Sequence, residues 1–553
     1  MATTIYPNSP SGERIDYATI LDHRTKLVIL AGVLLCLFLA ALDQTIVGTA
    51  LPAIIRDLHG LDLVAWVSTG YLLASTAMVP IYGKLSDLWG RKTILIWGVS
   101  VFLLGSALCG IATSMFQLIG FRVLQGIGAA ALTSTAFAIP ADLFAPAQRA
   151  RYMGIFGGVF GLASVVGPFL GGLLTDQISW HWVFYVNLPL GLIALAFLVT
   201  KMPALKSGLR APIDWLGTML LITSVVPLLL GLTLDKTVYA WSSPLVVGLL
   251  ATAIISTIVF LYVETRVPSP IIALSLFRNR TFSVVIVASF LNGGAFFGAI
   301  LFLSLYLVNV VGMTATQAGT AQIPLMVAFV AGSILSSQIV ARIGRYKGFI
   351  IAGFAIMLVG FFAMTQLNVH STMFDVTWRM LLLGLGIGPA LPLLNLAMQN
   401  DVPYQVIGSA TANRQFFQQL GQAVGATIFG VVLTTTLTAQ ITQNLAPVIA
   451  ELPSAVQAQF NAANFRQSAV GEGAGGEQVN MTQKLTPIIG AEKANLIGGQ
   501  ISDALKLSFS NSVTQIYSYA IWFVAAAFLL VTFFLPEKPL RTTNRPEPTP
   551  VIE

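Results

Sequence analysis

Residues 27–55 read LVILAGVLLCLFLAALDQTIVGTALPAII, an apolar run from Leu27 to Ile55 that contains one acid, Asp43. About 20 apolar residues cross a hydrocarbon core of ~30 Å as a helix, so this run is read as a membrane span. A carboxylate near the middle of such a span costs about 2.5–3.5 kcal/mol on insertion scales, which confines it to a protein interior or a wet cavity and marks it as functional. Asp43 is therefore the residue the remaining sequence has to explain.

The whole chain has the same character. Of its 553 residues 56% are hydrophobic and only 9% charged, and the mean hydropathy is +0.81. Soluble domains carry about 25% charged residues, so the expectation is a polytopic all-α membrane protein. Residues 1–26 hold Arg14, Arg24 and Lys26 among Glu13, Asp16 and Asp22. They read as a polar tail ahead of a first span that serves as its own insertion signal. Cys36 and Cys109 lie in apolar runs with no neighbouring His or second Cys, which fits small buried hydrophobes and no metal or redox chemistry.

Further windows of spanning length follow, from Val64 to Tyr82 and Thr93 to Ile111 through Phe282 to Val311, Val376 to Met398 and Val406 to Leu437, up to Val513 to Leu535. Fourteen spans in all put both chain ends on one side. Short loops on that side carry Lys84, Arg91, Lys92, Arg149, Arg151, Lys201, Arg342, Arg345 and Lys347, whereas the opposite short loops keep Arg56 and Lys236. By the positive-inside rule both termini are expected in the cytosol, in a multi-pass protein of the cell membrane. The net charge of +7 is explained by this topology and calls for no nucleic acid. Of the acids only Asp43 is placed well within a span, with Asp142, Asp214 and Asp375 at span edges.

An external loop, 438–512, separates the last two spans. Asn444 to Phe465 and Ala491 to Leu507 have apolar residues at helical spacing, joined by the Gly-rich connector Gly471 to Glu477. The expectation is two amphipathic helices resting on the outer rim, as a tolerated insertion or as a gating or partner-binding element.

Between spans 2 and 3 stands Gly83-Lys84-Leu85-Ser86-Asp87-Leu88-Trp89-Gly90-Arg91-Lys92. Its glycines permit a tight turn, and Asp87 is able to accept from a nearby Arg or a helix N-terminus, which would make a breakable latch. This stretch resembles the signature loop of the major facilitator superfamily. Arg122 to Ala130 in span 4 is similar to that family's second motif, and Gly154, Ala163, Gly167-Pro168 and Gly171-Gly172 in span 5 resemble the antiporter motif of its exporters. Leu42 to Val47 with Ala50-Leu51-Pro52, and Trp180 to Phe184 with Asn187-Leu188-Pro189, resemble the fourteen-spanning drug:proton antiporter family. Departures are Gly48, His181 and Gln418, where that family often has Asn, Arg and Arg. Arg342 to Lys347 looks like a degenerate echo of the Gly83 loop, as a repeated half would leave.

The resemblance implies a major facilitator fold. Its N-terminal six-helix bundle would be 27–200, a linker with inserted spans 7 and 8 would be 201–281, and the C-terminal six-helix bundle 282–535. A tail, 536–553, completes the chain. It further implies alternating access and a cytosolic gate at Gly83, Asp87, Gly90, Arg91 and Arg149. Small residues and Pro168 in span 5 would let helices bend or approach closely.

At a rise of 1.5 Å per residue Asp43 and Arg122 differ in depth by about 9 Å, and Gln125 lies one turn from Arg122 on the same face. Contact within this trio is possible. A near Arg122 favours ionised Asp43, whereas an apolar cavity favours the protonated acid. Asp43, Arg122 and Gln125 are the expected proton-coupling and substrate residues. Phe290, Asn292 and Phe296 of span 9, with Asn395, Met398, Arg414 and Gln415 of spans 12 and 13, offer the aromatic, Met and amide surface of a permissive cavity.

The expected function is proton-coupled export of amphipathic drugs or toxic metabolites. Alternatives are an exporter specific for one lipid, siderophore or antibiotic, a nutrient importer, and a non-transporting scaffold. No HExxH, Cys/His cluster, nucleophile elbow or P-loop occurs, so neither an enzyme nor an ATP-driven pump is expected. The partners would be protons, small amphipathic substrates and the lipid bilayer. No cofactor is needed, and a monomer suffices.

Overall fold

Apolar windows separated by short polar breaks become long helices, because only intra-segment hydrogen bonding satisfies the backbone in hydrocarbon. The computed structural model describes residues 17–59, 63–205, 211–234, 236, 238–450, 482–483, 486 and 490–543. Among these there are 14 helices long and apolar enough to cross a membrane, and no strand. They are α1 His23–Leu58, α2 Val64–Trp89, α3 Arg91–Cys109, α4 Met115–Leu143, α5 Pro146–Gln177, α6 Asn187–Lys201 and α7 Trp215–Thr233. Next come α8 Pro244–Glu264, α9 Arg280–Asn309, α10 Ile323–Ile343, α11 Lys347–Met364, α12 in two segments (Met373–Ile387 and Ala390–Asp401), α13 Ile407–Ala450 and α14 Ala491–Phe534. Side-chain caps start many of them: the oxygens of Asp22, Ser114, Asp214, Ser243, Asn279 and Thr372 each accept from a backbone N–H in the first turn.

Packing repeats along the chain. In the first bundle α1 lies on α5 and α6, α2 and α3 on α4, and α3 on α6. In the second, α9 lies on α13 and α14, α10 and α11 on α12, and α11 on α14, the same pairings eight helices later. Two seams join the bundles, α2 against α13 and α5 against α10, and the repeat maps one seam onto the other. The inserted pair α7 and α8 packs on itself, and α7 reaches α2 and α13 beside the first seam.

The bundles meet most closely toward the face that carries Tyr17 and Arg541, near the first and last described residues, called here the terminal face. There Ala129–Leu143 of α4, Leu393–Asn400 of α12 and Ile407–Phe416 of α13 are buried almost without exception. Toward the opposite face the packing loosens: Gln44, Gly48 and Pro52 of α1 are exposed, and a Cβ on Gly48, Gly120 or Gly172 would touch nothing.

Two expectations change. Gly83 to Lys92 is not a ten-residue loop. The last turns of α2 run to Trp89, α3 starts at Arg91, and Gly90 alone makes the turn at φ 91, a conformation suited to glycine. Nor do the described ends of 438–512 form helices of their own. Residues Asn444–Ala450 continue α13 and Ala491–Leu507 begin α14, each an unbroken helix of 44 residues. At about 66 Å each is more than twice the thickness of the core, so both project beyond it. Leu437, Ile441 and Leu445 of α13 are buried together with Ala494, Ile497, Ile501 and Leu505 of α14. Asn444 Nδ2 donates to Ser508 Oγ at 3.0 Å. The apolar stripes expected to rest on the outer rim pack against each other instead. The Gly471 to Glu477 connector and the rest of Asn444 to Phe465 lie outside the described residues.

Candidate functional site

Asp43 is 0% exposed on α1, inside the first bundle and not in an open cavity. Arg122 of α4 reaches it with the length of its side chain, Nη1 donating to Oδ2 at 2.6 Å. Gln125 Nε2 donates to Oδ1 at 2.7 Å, and its own Oε1 accepts from Arg122 Nη1 at 2.7 Å. A third donor was not foreseen: Asn187 Nδ2, at the start of α6, lies 2.8 Å from Oδ1. Ser106 Oγ of α3 accepts from both Gln125 (3.1 Å) and Asn187 (3.0 Å), and itself donates to Phe184 O at 2.9 Å. Arg122 Nε donates to Val67 O at 3.2 Å, and its guanidinium lies 4.2 Å from the centre of the Tyr71 ring.

The segment Asn187-Leu188-Pro189 carries a family likeness in the sequence, which assigns no role to the amide. A polar amide beside a break in an apolar span was the available signal. Both cysteines are buried and unpaired, as expected.

The helices supplying Asp43, Ser106, Arg122 and Gln125 are held by close contacts. Gly105 packs against the backbone of Gln125, and Gly126 against that of Tyr71, where a Cβ would collide. Thr45 Oγ1 donates to Ala163 O at 2.9 Å, tying α1 to α5. Gly167 sits on Thr45, and Gly171 on Thr49 and the Ile46 carbonyl. Gly154 faces the other way, onto the Ser333 carbonyl of α10 in the second bundle, while Gly172 faces open space. Pro168 stays within an unbroken α5. The small residues of this helix thus serve two faces, one toward Asp43's helix and one toward the seam.

At the terminal face Asp87 Oδ2 accepts from Ser409 N and Ser409 Oγ, both at 2.8 Å, in the first turn of α13. A carboxylate on the positive end of a helix from the other bundle is electrostatically favourable. Arg91 lies 2.8 Å from Asp87 and 2.8 Å from Asp142, all three nearly unexposed. Gly83 allows the approach, since a Cβ there would strike Ala412, and Gly90 makes the turn. Arg149 Nη1 donates to Gln399 Oε1 across the seam at 3.2 Å, and Nη2 donates to the last carbonyls of α4 at Ala141 (3.2 Å) and Phe144 (3.0 Å). Glu264, at the end of α8, was not singled out in the sequence and is as buried as these acids, its Oε1 accepting from Ile271 N at 3.1 Å. Depth in the span, and not burial, is what distinguishes Asp43.

The cavity candidates divide. Asn395 and Arg414 come together, Arg414 Nε donating to Asn395 Oδ1 at 3.2 Å. Gln415 Nε2 reaches across the seam to Thr133 O at 3.3 Å. Asn292 is buried, with Oδ1 unpartnered. Phe290 is half-buried, its carbonyl against Gly421, and the Phe296 ring lies 6.0 Å from that of Phe329. Met398, expected at the cavity, is packed into the core of the second bundle in this conformation, because the closed terminal face buries α12 on all sides.

Two helical bundles related by repeat and joined at two seams, the first enclosing a buried ion pair, are the architecture of a membrane transporter. The chain belongs to the Major Facilitator Superfamily, whose profile matches residues 33–426, and its 14 spans fit the fourteen-span drug:proton antiporter family. It is 35% identical over 520 residues to the multidrug transporter protein MdtP of Bacillus subtilis, covering 94% of each chain. To multidrug resistance protein 3 of the same organism it is 38% identical over 424 residues, 77% of this chain and 82% of that one. The crystal structure of the human organic anion transporter MFSD10 shares the fold at a TM-score of 0.57 and 14% identity, over 90% of this chain and 99% of that one.

Proposed function

We propose that this protein is a proton-coupled antiporter that exports amphipathic drugs or toxic metabolites across the cytoplasmic membrane by alternating access, with its terminal face and both chain ends in the cytosol. The observation that carries the reading is the fully buried Asp43 carboxylate, held by Arg122, Gln125 and Asn187. The multidrug-named relatives support the direction and the substrate range.

In mechanism, ionised Asp43 balances Arg122, and the pair binds α1, α4 and α6 into one unit. A proton arriving at Asp43 removes the charge that holds Arg122, weakens the charge-assisted hydrogen bonds, and leaves a cation seeking another partner. That change is coupled to rocking at the two seams, where the Asp87 contact to α13 and the Arg149 contact to Gln399 break as the terminal face opens. Substrate enters from the cytosol in that state, and release of the proton restores the buried pair.

The test is ethidium transport in inverted membrane vesicles energised to an acidic lumen, with and without a protonophore. Wild-type transport should be abolished by the protonophore, and Asp43→Asn should lose coupled transport. Undiminished coupled transport in Asp43→Asn overturns the reading.

A further inference from the structure

Arg414 sits on α13 of the second bundle and is 1% exposed. Its partners are neutral: Nε donates to Asn395 Oδ1 at 3.2 Å, and Nη1 to Gln418 Oε1 at 2.8 Å. Nη2 is buried with no hydrogen-bond partner. Among the described residues no carboxylate forms an ion pair with it, in contrast to Arg91 and Arg122, which have acids at 2.6–2.8 Å. A buried guanidinium without a counter-ion costs several kcal/mol, which packing alone does not recover. In a membrane protein such a cation marks a ligand path.

A second donor points the same way. Because Asn395 Oδ1 is taken by Arg414, its Nδ2 is turned toward the first bundle, where it meets only Met153 Sδ at 3.8 Å. A thioether is a weak acceptor, so this amide N–H is nearly unspent. One strong and one moderate donor thus stand side by side at the inter-bundle seam, both short of an acceptor. The Asn395 to Met153 and Gln415 to Thr133 contacts both cross the seam, so the opening that the exporter reading requires would part them and uncover the two donors.

We propose that Arg414, oriented by Asn395 and Gln418, binds the carboxylate of an anionic amphipathic substrate. The proposal rests on the exporter reading and adds anionic amphiphiles to the substrates it handles, at a site separate from Asp43. Exchange of one proton inward for one monoanion outward moves two positive charge equivalents inward, so membrane potential adds to the driving force.

The probe is naphthoate, compared with its uncharged analogue naphthamide, binding to the purified full chain in lipid nanodiscs and read by thermal stabilisation in zwitterionic buffer with and without sodium chloride. Naphthoate should stabilise the protein and naphthamide should not. Arg414→Gln should raise the naphthoate Kd about ten-fold or more, the size expected for a lost hydrogen-bonded charge. Asn395→Asp supplies an internal carboxylate to Arg414, keeps the guanidinium paired, and should abolish naphthoate binding without unfolding the chain. Equal responses to the two probes, a wild-type Kd in Arg414→Gln, or stabilisation by chloride with none by naphthoate each overturn the assignment. Binding needs no gradient, so its failure with intact coupled ethidium transport removes this site alone, and loss of wild-type coupled transport removes the exporter reading alone.

Discussion

Asp43 and its three donors form a network in which both carboxylate oxygens are satisfied, with Asn187 Oδ1 left without a partner, and such a network is sensitive to any single loss. Asn187→Leu removes one donor from Oδ1 and leaves Gln125 there. Loss of a hydrogen bond to a charged group should cost about 1.5–3 kcal/mol, seen as a lower unfolding temperature in detergent, with reduced coupled ethidium transport. A purely architectural role for Asn187 would lower stability and spare the transport rate per folded molecule. The residue types at Asp43, Arg122 and Gln125 were legible because each is costly in an apolar run. That Asn187 and Ser106 complete the shell was not, since they lie 144 and 63 positions from Asp43 and reach it only through helix crossing.

At the scale of elements, α5 shows how one run of small residues is divided between neighbours. Gly171 lies on the Ile46 carbonyl of α1, while Gly172 faces open space. Gly171→Leu should therefore be overpacked, losing about 1–3 kcal/mol or more in a detergent thermostability assay, and Gly172→Leu should be near neutral. Equal effects would show that the motif acts through helix flexibility and not through contact. The α13 and α14 projections are a second case. Ile441 is fully buried between them, and Ile441→Ala should cost about 2–5 kcal/mol locally, read as faster hydrogen exchange in 438–450 and 491–507. Apolar spacing marked these stretches as helical, but spacing says only which face is apolar. Whether that face meets lipid or another helix was decided by the antiparallel return of α14 beside α13.

For the whole molecule, the repeat of helix pairings makes the two seams equivalent, and closure at the terminal face depends on small residues there. Gly83→Val would drive a side chain into Ala412 and push the bundles apart. Maleimide labelling of a cysteine introduced as Ala410→Cys, 0% exposed in the closed face, should rise several-fold in the Gly83→Val background when reagent is added from the terminal side. No change in labelling would mean that the seam yields locally.

Length and hydropathy alone determined the fourteen crossings, the placing of both chain ends on one side and the isolation of Asp43, because a ~30 Å apolar core admits few other solutions. Motif likeness extended this to two bundles and an inserted pair. Tertiary structure decided the rest: the 79-residue reach from Arg122 to Asp43, the 322-residue reach from Asp87 to Ser409, and the absence of an acid beside Arg414 among the described residues. Burial and charge type are written residue by residue along a helix, whereas the partner of a buried charge is set by which helices cross and at what depth. For that reason the sequence identified the unusual residues, and only the packed bundles showed that Arg91 and Arg122 stand beside acids and that Arg414 does not.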